Sequence, residues 1–165
     1  MMANKRKRVG TRAENRVVQG LRTVMPKPLV LRTSPGTPYD IICPVGYVEV
    51  KCRAKWRVDA WTGKLRDITP YWYLVLGLPD MRTKLARQLG MVVVTSMQTY
   101  TGLLGGQLPE HEVQCVTPSK LGNVDGWPVR YVSSDGEHQV VMKFDQLLAL
   151  IDRRAAWLDT RAVWV

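Results

Sequence analysis

Two short apolar segments joined by a Pro-Val-Gly turn constrain the fold of this chain more than any other feature. Residues 39–43 and 47–51 each have the composition of a β-strand, so with the turn between them they predict a β-hairpin. Because side chains alternate along a strand, Glu49 and Lys51 share one face, with about 7 Å between their Cα atoms. The hairpin brings Asp40 across towards Glu49, although the sequence leaves the pairing register open.

Apolar periodicity outlines the elements around this hairpin. It predicts a helix from about Thr11 to Val24, a second helix with Asp80 as its N-cap that ends near Leu89, and a third over residues 144–158. The remaining strands are predicted at residues 29–32, 71–78, 91–95, 113–117, 129–133 and 139–143. Strands interleaved with helices predict an α/β fold class, with a central mixed β-sheet flanked by α-helices.

Two stretches lack a clear helix or strand pattern. Residues 52–69 are polar and basic and predict a long loop or flap, while residues 101–110 predict a flexible connection. A length of 165 residues fits one domain with a sizeable core. We therefore predict a flexible basic arm over residues 1–9 and a single domain over residues 10–165.

Positive charge is concentrated in the first third of the chain. Residues 1–57 hold thirteen Lys or Arg and three acids, whereas residues 58–165 hold eleven of each. The net charge of +10 therefore favours a polyanionic partner such as DNA, through phosphate neutralisation and counterion release. The sequence has no apolar run of membrane-spanning length and no secretory signal, so we expect a cytoplasmic, intracellular protein without a membrane partner.

The three acids of the basic third are Glu14, Asp40 and Glu49. Carboxylates repel phosphate and so weaken a phosphate-binding surface. Their presence in the basic third therefore indicates a functional role, and binding a divalent cation beside the phosphate is the simplest such role. Glu14 lies on or beside the inward face of the first helix, where an uncompensated carboxylate is costly. In this hypothesis the three acids hold Mg²⁺, with Mn²⁺ as an alternative, and Lys51 orients the water or stabilises transition-state charge. These four residues form the predicted catalytic set for phosphodiester hydrolysis.

Basic side chains in two segments are candidate DNA contacts. The first segment leads into the first helix, and the second follows the catalytic strand directly. The second segment includes Trp56, whose ring suits exposed bases. These candidates are Lys5, Arg6, Lys7, Arg8, Arg12, Arg16, Arg53, Lys55 and Arg57, and Ser34 in the loop before the hairpin is a further candidate. A solvated loop around Trp56 and a turn-forming role for Ser34 stay open as alternatives.

The order of these residues is similar to that of a known enzyme group. Asp40 followed by Glu49-Val50-Lys51, each beside apolar strand residues, resembles the PD-(D/E)xK nuclease motif. The upstream segment Gly10-Thr-Arg-Ala-Glu14, the Ser34-Pro-Gly-Thr loop and the basic N-terminus together resemble archaeal-type Holliday junction resolvases. The resemblance covers about a third of the chain, residues 5–55.

This resemblance implies a restriction-endonuclease-like core and a Mg²⁺-dependent, structure-selective endodeoxyribonuclease. It implies a homodimer that makes paired symmetric nicks across a four-way junction, as symmetric cuts need two sites related by a two-fold axis. It also implies a nucleoid-associated protein of a prokaryote or of a virus with a prokaryotic host. The sequence departs from the family at Asn15, where resolvases often carry Arg, and at Pro38, which stands two residues before Asp40.

Two other functions stay open at this stage. Another PD-(D/E)xK nuclease, of restriction-like or repair type, would cut linear or flapped duplex. A non-catalytic basic DNA-binding module would bind DNA in a salt-sensitive way without cleavage. In the module, Asp40, Glu49 and Lys51 form a surface salt-bridge cluster and Glu14 is a capping or solvated residue.

Overall fold

An eight-stranded mixed β-sheet with helices on both faces organises the protein, which confirms the predicted fold class. The computed structural model describes residues 2–158, with the side chains of residue 5 and residues 7–154. The helices are α1 (Met2–Arg22), α2 (Val58–Arg66), α3 (Lys84–Leu89), α4 (Pro118–Leu121) and α5 (Phe144–Leu158). The strands are β1 (Leu31–Arg32), β2 (Ile41–Cys43), β3 (Gly46–Cys52), β4 (Trp72–Gly77), β5 (Val92–Ser96), β6 (Glu112–Val113), β7 (Val129–Val132) and β8 (His138–Lys143).

The strand order is β1-β2-β3-β4-β5-β8-β7-β6. Two neighbouring pairs, β3 with β4 and β6 with β7, are parallel, and the other pairs are antiparallel. A parallel pair needs a crossover connection, which α2 supplies between β3 and β4. All six residues of β4 are buried, because this central strand is covered on both faces, and this explains its unbroken apolar sequence.

Two hydrophobic cores lie on the two faces of the sheet. On one face α1 packs against β3, where Val17 and Val48 belong to the same buried cluster, and α5 packs against β5 and β8. On the other face α2, α3 and α4 pack in a cluster that includes Leu74 of β4. The helices α1 and α5 meet at Gly20, where an added Cβ would lie 2.6 Å from the ring of Phe144. A residue without a side chain is therefore needed for this close approach.

The predicted hairpin is present as β2 and β3. Its register pairs Ile41 with Val48, so the strands are antiparallel around a short turn. Gly46 in this turn has a φ of 142°, and an added Cβ there would lie 2.2 Å from the carbonyl oxygen of Tyr71. Both the backbone conformation and the lack of space require glycine at this position.

The prediction of a long loop or flap over residues 52–69 was wrong, because this segment contains α2. Val58, Thr62 and Leu65 recur at helical spacing and are all buried. Three of the remaining six residues of the helix are charged, and one of the three buried residues is the polar Thr62, so the apolar stripe is short and weak. The segment therefore carries a structured crossover helix over the sheet.

Two predicted helix starts also differ from the structure. The N-cap of α3 is Thr83 rather than Asp80, since the hydroxyl of Thr83 accepts a hydrogen bond of 3.2 Å from the N–H of Ala86. Helix α1 begins at Met2, so residues 2–9, interpreted from the sequence as a flexible arm, are helical. Met1 and residues 159–165 of the predicted arm and domain lie outside the described residues. Within the described range, the helices lack the combination of length and apolar character that a membrane crossing requires.

Candidate active site

Asp40 lies across the hairpin from Glu49. The N–H of Asp40 donates to the carbonyl of Val48 at 2.9 Å, and the Oδ2 atom of Asp40 accepts from the N–H of Val50 at 2.7 Å. These two bonds reach the residues on either side of Glu49. They hold the Asp40 carboxylate at the start of β2, where it satisfies a backbone donor of β3 that has no partner on β2.

Glu49 and Lys51 extend from one face of β3, as the strand alternation predicts. The Nζ atom of Lys51 lies 2.9 Å from Oε1 of Glu49, and 5.8 Å from the centre of the Trp61 ring on α2. The side chains of Glu49 and Lys51 are 14% and 26% exposed. They are thus partly shielded from water, which strengthens their electrostatic interactions, and still open to a ligand.

The surroundings of Glu49 disfavour the ionised form of its carboxyl group. Burial raises the pKa of Glu49 to about 7, with a further increase from the negative charge of Asp40 and a partial offset from Lys51. Two carboxylates side by side do not ionise together without cost. The cluster therefore has more negative charge than its single lysine balances. A buried, charge-coupled group of this kind is typical of functional sites.

Glu14 is not joined to this cluster in the structure. Its Oε2 atom accepts a 2.5 Å hydrogen bond from Arg32, which also donates to Oδ1 of Asn15 at 3.0 Å. Helix α1 packs on the face of β3 that carries Val48, whereas Glu49 extends from the opposite face. Among the side chains that the structure describes, no group of three or more His, Cys, Asp or Glu residues is arranged to hold a metal ion. Three of the four predicted catalytic residues are thus brought together.

The predicted DNA contacts lie on the surface. The exposed candidates are Lys5, Lys7, Arg8, Arg12, Arg16, Ser34, Arg53, Lys55 and Arg57. The side chain of Arg6 lies outside the described ones. Trp56, expected to contact exposed bases, is instead buried, and its indole N–H donates to the carbonyl of Gly77 at 3.1 Å. Its role is to attach the chain after β3 to the sheet.

Sequence reasoning missed two contacts around the cluster and one at Glu14. Trp61 faces Lys51 from α2, Arg32 binds Glu14, and Tyr39 stacks on Tyr47 with 4.2 Å between ring centres and 8° between ring planes. Alternation along the strand already places Tyr47 on the face of Glu49 and Lys51. The contact between Trp61 and Lys51 could have been predicted only by recognising the buried stripe of α2.

Comparison with known proteins adds no family to this geometry. No family model matches the chain, and neither a curated protein nor a solved structure matches it. What the cluster can do chemically therefore has to be argued from its own arrangement. The arrangement consists of two opposed carboxylates and a lysine bonded to one of them, in the basic N-terminal third of the sequence.

Proposed function

We propose that the protein is a metal-dependent, structure-selective DNA endonuclease. The observation that carries the proposal is the placement of Asp40 across the hairpin from Glu49, with Lys51 bonded to Glu49. Exposed basic side chains on α1 and in the connection after β3 support DNA as the substrate, because they can neutralise backbone phosphates.

The two opposed carboxylates suit a divalent cation. Proteins commonly bind Mg²⁺ through one or two carboxylates together with the phosphates of a substrate. A cation between Asp40 and Glu49 would remove the repulsion that helps to raise the pKa of Glu49. Mn²⁺ prefers the same oxygen donors. Glu14 as a further metal ligand stays a prediction, and its carboxylate is bound to Arg32.

In the proposed reaction, the carboxylates and the lysine of the cluster have different roles in phosphodiester hydrolysis. Bound between the carboxylates, the cation would polarise the phosphodiester and help to activate water. Lys51 supplies positive charge for the transition state, and its contacts with Glu49 and with the Trp61 ring hold the ammonium group in place. Partial burial of Glu49 keeps this charge arrangement from being screened fully by water.

Within this class we propose the four-way DNA junction as the substrate and a homodimer as the active form. Each chain contributes one Asp40–Glu49 pair, and two symmetric nicks need two such pairs related by a two-fold axis. The resemblance of residues 5–55 to junction resolvases supports this narrower proposal. A junction resolvase acts on DNA, so this proposal implies that the protein is associated with the nucleoid of its cell.

Cleavage of a labelled synthetic four-way junction, beside linear duplex of the same sequence, tests the proposal. We expect paired symmetric nicks in the junction with Mg²⁺ and none with EDTA. Asp40→Asn should abolish the nicks, because it removes one of the two opposed charges. Asp125→Asn makes the same change at an exposed aspartate outside the cluster and should leave the nicks intact.

The alternative outcomes separate the competing functions. Metal-dependent cutting of linear duplex as well would retain the nuclease and remove the junction specificity. Salt-sensitive binding without cutting in Mg²⁺ or Mn²⁺ would contradict the enzyme and leave the basic DNA-binding module.

A further inference from the structure

A row of apolar side chains crosses the sheet next to the two carboxylates. The register pairs Leu31 with Ile42 and Ile42 with Tyr47, so these three side chains share one face of the sheet. Glu49 follows Tyr47 by two residues and therefore points to the same face. The row and the Asp40–Glu49 pair are about 7 Å apart by strand rise.

This row forms part of an open groove. Leu29 and Tyr71 add to its walls, and its volume is about 370 Å³, within the range of small-ligand sites. Leu29 and Leu31 are 48% and 50% exposed, so apolar surface is open to solvent on this side. The residues that line the groove include no charged side chain.

The aromatic wall of the groove is held in place. Tyr39 stacks on Tyr47 in a nearly parallel arrangement, so the Tyr47 ring is supported from one side. Tyr71 precedes β4, and its carbonyl accepts from the N–H of Tyr47 at 2.9 Å, which ties the two residues together. Aromatic rings fixed in this way bind nucleobases of any sequence by stacking.

The charge around the groove suits a polyanion. Pro28, Leu29 and Leu31 line one side of the groove, and the exposed Lys27 directly precedes them. Arg32 follows Leu31 onto the opposite face of the sheet, where it binds Glu14. An apolar groove beside Lys27, next to the Asp40–Glu49 pair in the strand register, suits a nucleobase whose own backbone phosphates run beside it.

We propose that this groove binds an unpaired nucleobase of the DNA strand whose phosphate lies at Asp40 and Glu49. The inference rests on the proposed function and deepens it, because it gives a physical basis for substrate choice. Fully paired linear duplex offers no free base. Bases at a branch point have lost a stacking neighbour, so moving one of them into the groove costs less.

Binding measured in EDTA tests the groove apart from any cleavage. The probe is branched DNA with 2-aminopurine at the branch point, beside linear duplex. We expect Leu31→Ser and Tyr71→Leu each to weaken binding of the branched DNA about tenfold, the loss typical of a stacking contact, and to weaken binding of linear duplex much less. Leu108→Ser, at a leucine that is 61% exposed and does not line the groove, is the matched control.

An abasic branch point completes the test. Removing the base should weaken binding to the wild type as much as Leu31→Ser does, and should weaken binding to that variant no further. Equal binding by Leu31→Ser and Leu108→Ser, or additive losses with the abasic DNA, would overturn the groove proposal. Junction cleavage by the wild type in Mg²⁺ decides the nuclease proposal separately, so failure of one is distinguished from failure of the other.

Discussion

The two ends of the sheet carry polar clusters of opposite character. At β2 and β3, Asp40 lies opposite Glu49 and Lys51 bonds to Glu49, and burial together with the Asp40 charge raises the pKa of Glu49 to about 7. Beside β7 and β8, Arg66 of α2 binds both Asp135 and Glu137, and hydrogen bonds from Arg66 and Ser133 lower the pKa of Asp135 to about 2. Both clusters hold more carboxylates than basic groups, but they differ in burial. The side chain of Glu49 is 14% exposed, whereas those of Asp135 and Glu137 are 54% and 52% exposed.

The difference separates a candidate site from a structural network. At the second cluster, Asp59 of α2 accepts from the hydroxyl of Tyr131 at 2.7 Å and from the N–H of Ser134 at 3.1 Å, which attaches α2 to the β7–β8 hairpin. These acceptors have partners within the chain. At the first cluster the half-buried carboxylates repel each other, and a proton or a cation relieves that repulsion. Burial of charge without a full set of partners, more than the number of charged residues, is therefore the informative quantity.

Two lysines repeat the same contrast. Lys51 and Lys143 each face a tryptophan ring, at 5.8 and 4.9 Å. The Nζ atom of Lys143 donates to the carbonyls of Gln88 and Leu89, at 2.8 and 2.7 Å, and so satisfies the end of α3. Lys51 instead bonds to the carboxylate of Glu49. Lys143 is thus a structural lysine, whereas Lys51 would supply positive charge in the proposed reaction.

Replacing these two lysines gives the largest expected effect. Lys51→Ala should lower the rate of junction cleavage by about 10²–10³-fold, since it removes a positioned positive charge from the transition state. Lys143→Ala should lower the free energy of unfolding and leave the cleavage rate of the folded protein unchanged. Single-turnover cleavage and urea unfolding of both variants provide the measurement. Equal loss of cleavage in both would contradict the contrast.

Removing Asp59 should affect stability alone. Asp59→Ala leaves the Tyr131 hydroxyl and the Ser134 N–H without their acceptor, so we expect the free energy of unfolding to fall by about 1–3 kcal/mol. Urea unfolding measures this, with Asp125→Ala at an exposed position as the control. A loss of cleavage by Asp59→Ala at a temperature where it is folded would show that the network takes part in the reaction.

The pH dependence of stability should come from Glu49. Its pKa is raised in the folded state from 4.5 to about 7, so the folded protein binds the proton more tightly than the unfolded chain. The resulting contribution to stability is present below pH 4.5 and is lost as the pH rises through about 7. Asp135 titrates at more acidic pH and does not contribute to this window.

Unfolding measured across this range without metal should show the fall, and Glu49→Gln should remove it. Added Mg²⁺ should also flatten the profile, because a cation favours the ionised carboxylate. An unchanged pH profile in Glu49→Gln would show that the charge imbalance at the first cluster is absent.

The smallest expected effect concerns the basic surface. Lys55→Gln removes an exposed charge beside β3, so we expect the slope of log K against log salt for DNA binding to fall by about 1. Lys84→Gln makes the same change in the neutral part of the chain and should leave the slope unchanged. Equal effects of the two variants would mean that DNA contacts are not confined to the N-terminal third.

The local pattern of apolar and polar residues was sufficient to predict much of the fold. The stripe on α1, the alternation in β3 and the apolar run of β4 each follow from which faces are buried, and the structure confirms all three elements. Helix α2 escaped prediction because only three of its nine residues are buried, which is too few for a clear periodic signal.

Thus the sequence by itself determined the hairpin, the shared face of Glu49 and Lys51 and the basic third, because these depend on neighbours in the chain and on composition. Only the tertiary structure decided the pairing register that sets Asp40 opposite Glu49, and the packing of α1 on the other face that leaves Glu14 with Arg32. Register and helix packing depend on contacts between residues far apart in the chain, which a local pattern does not contain.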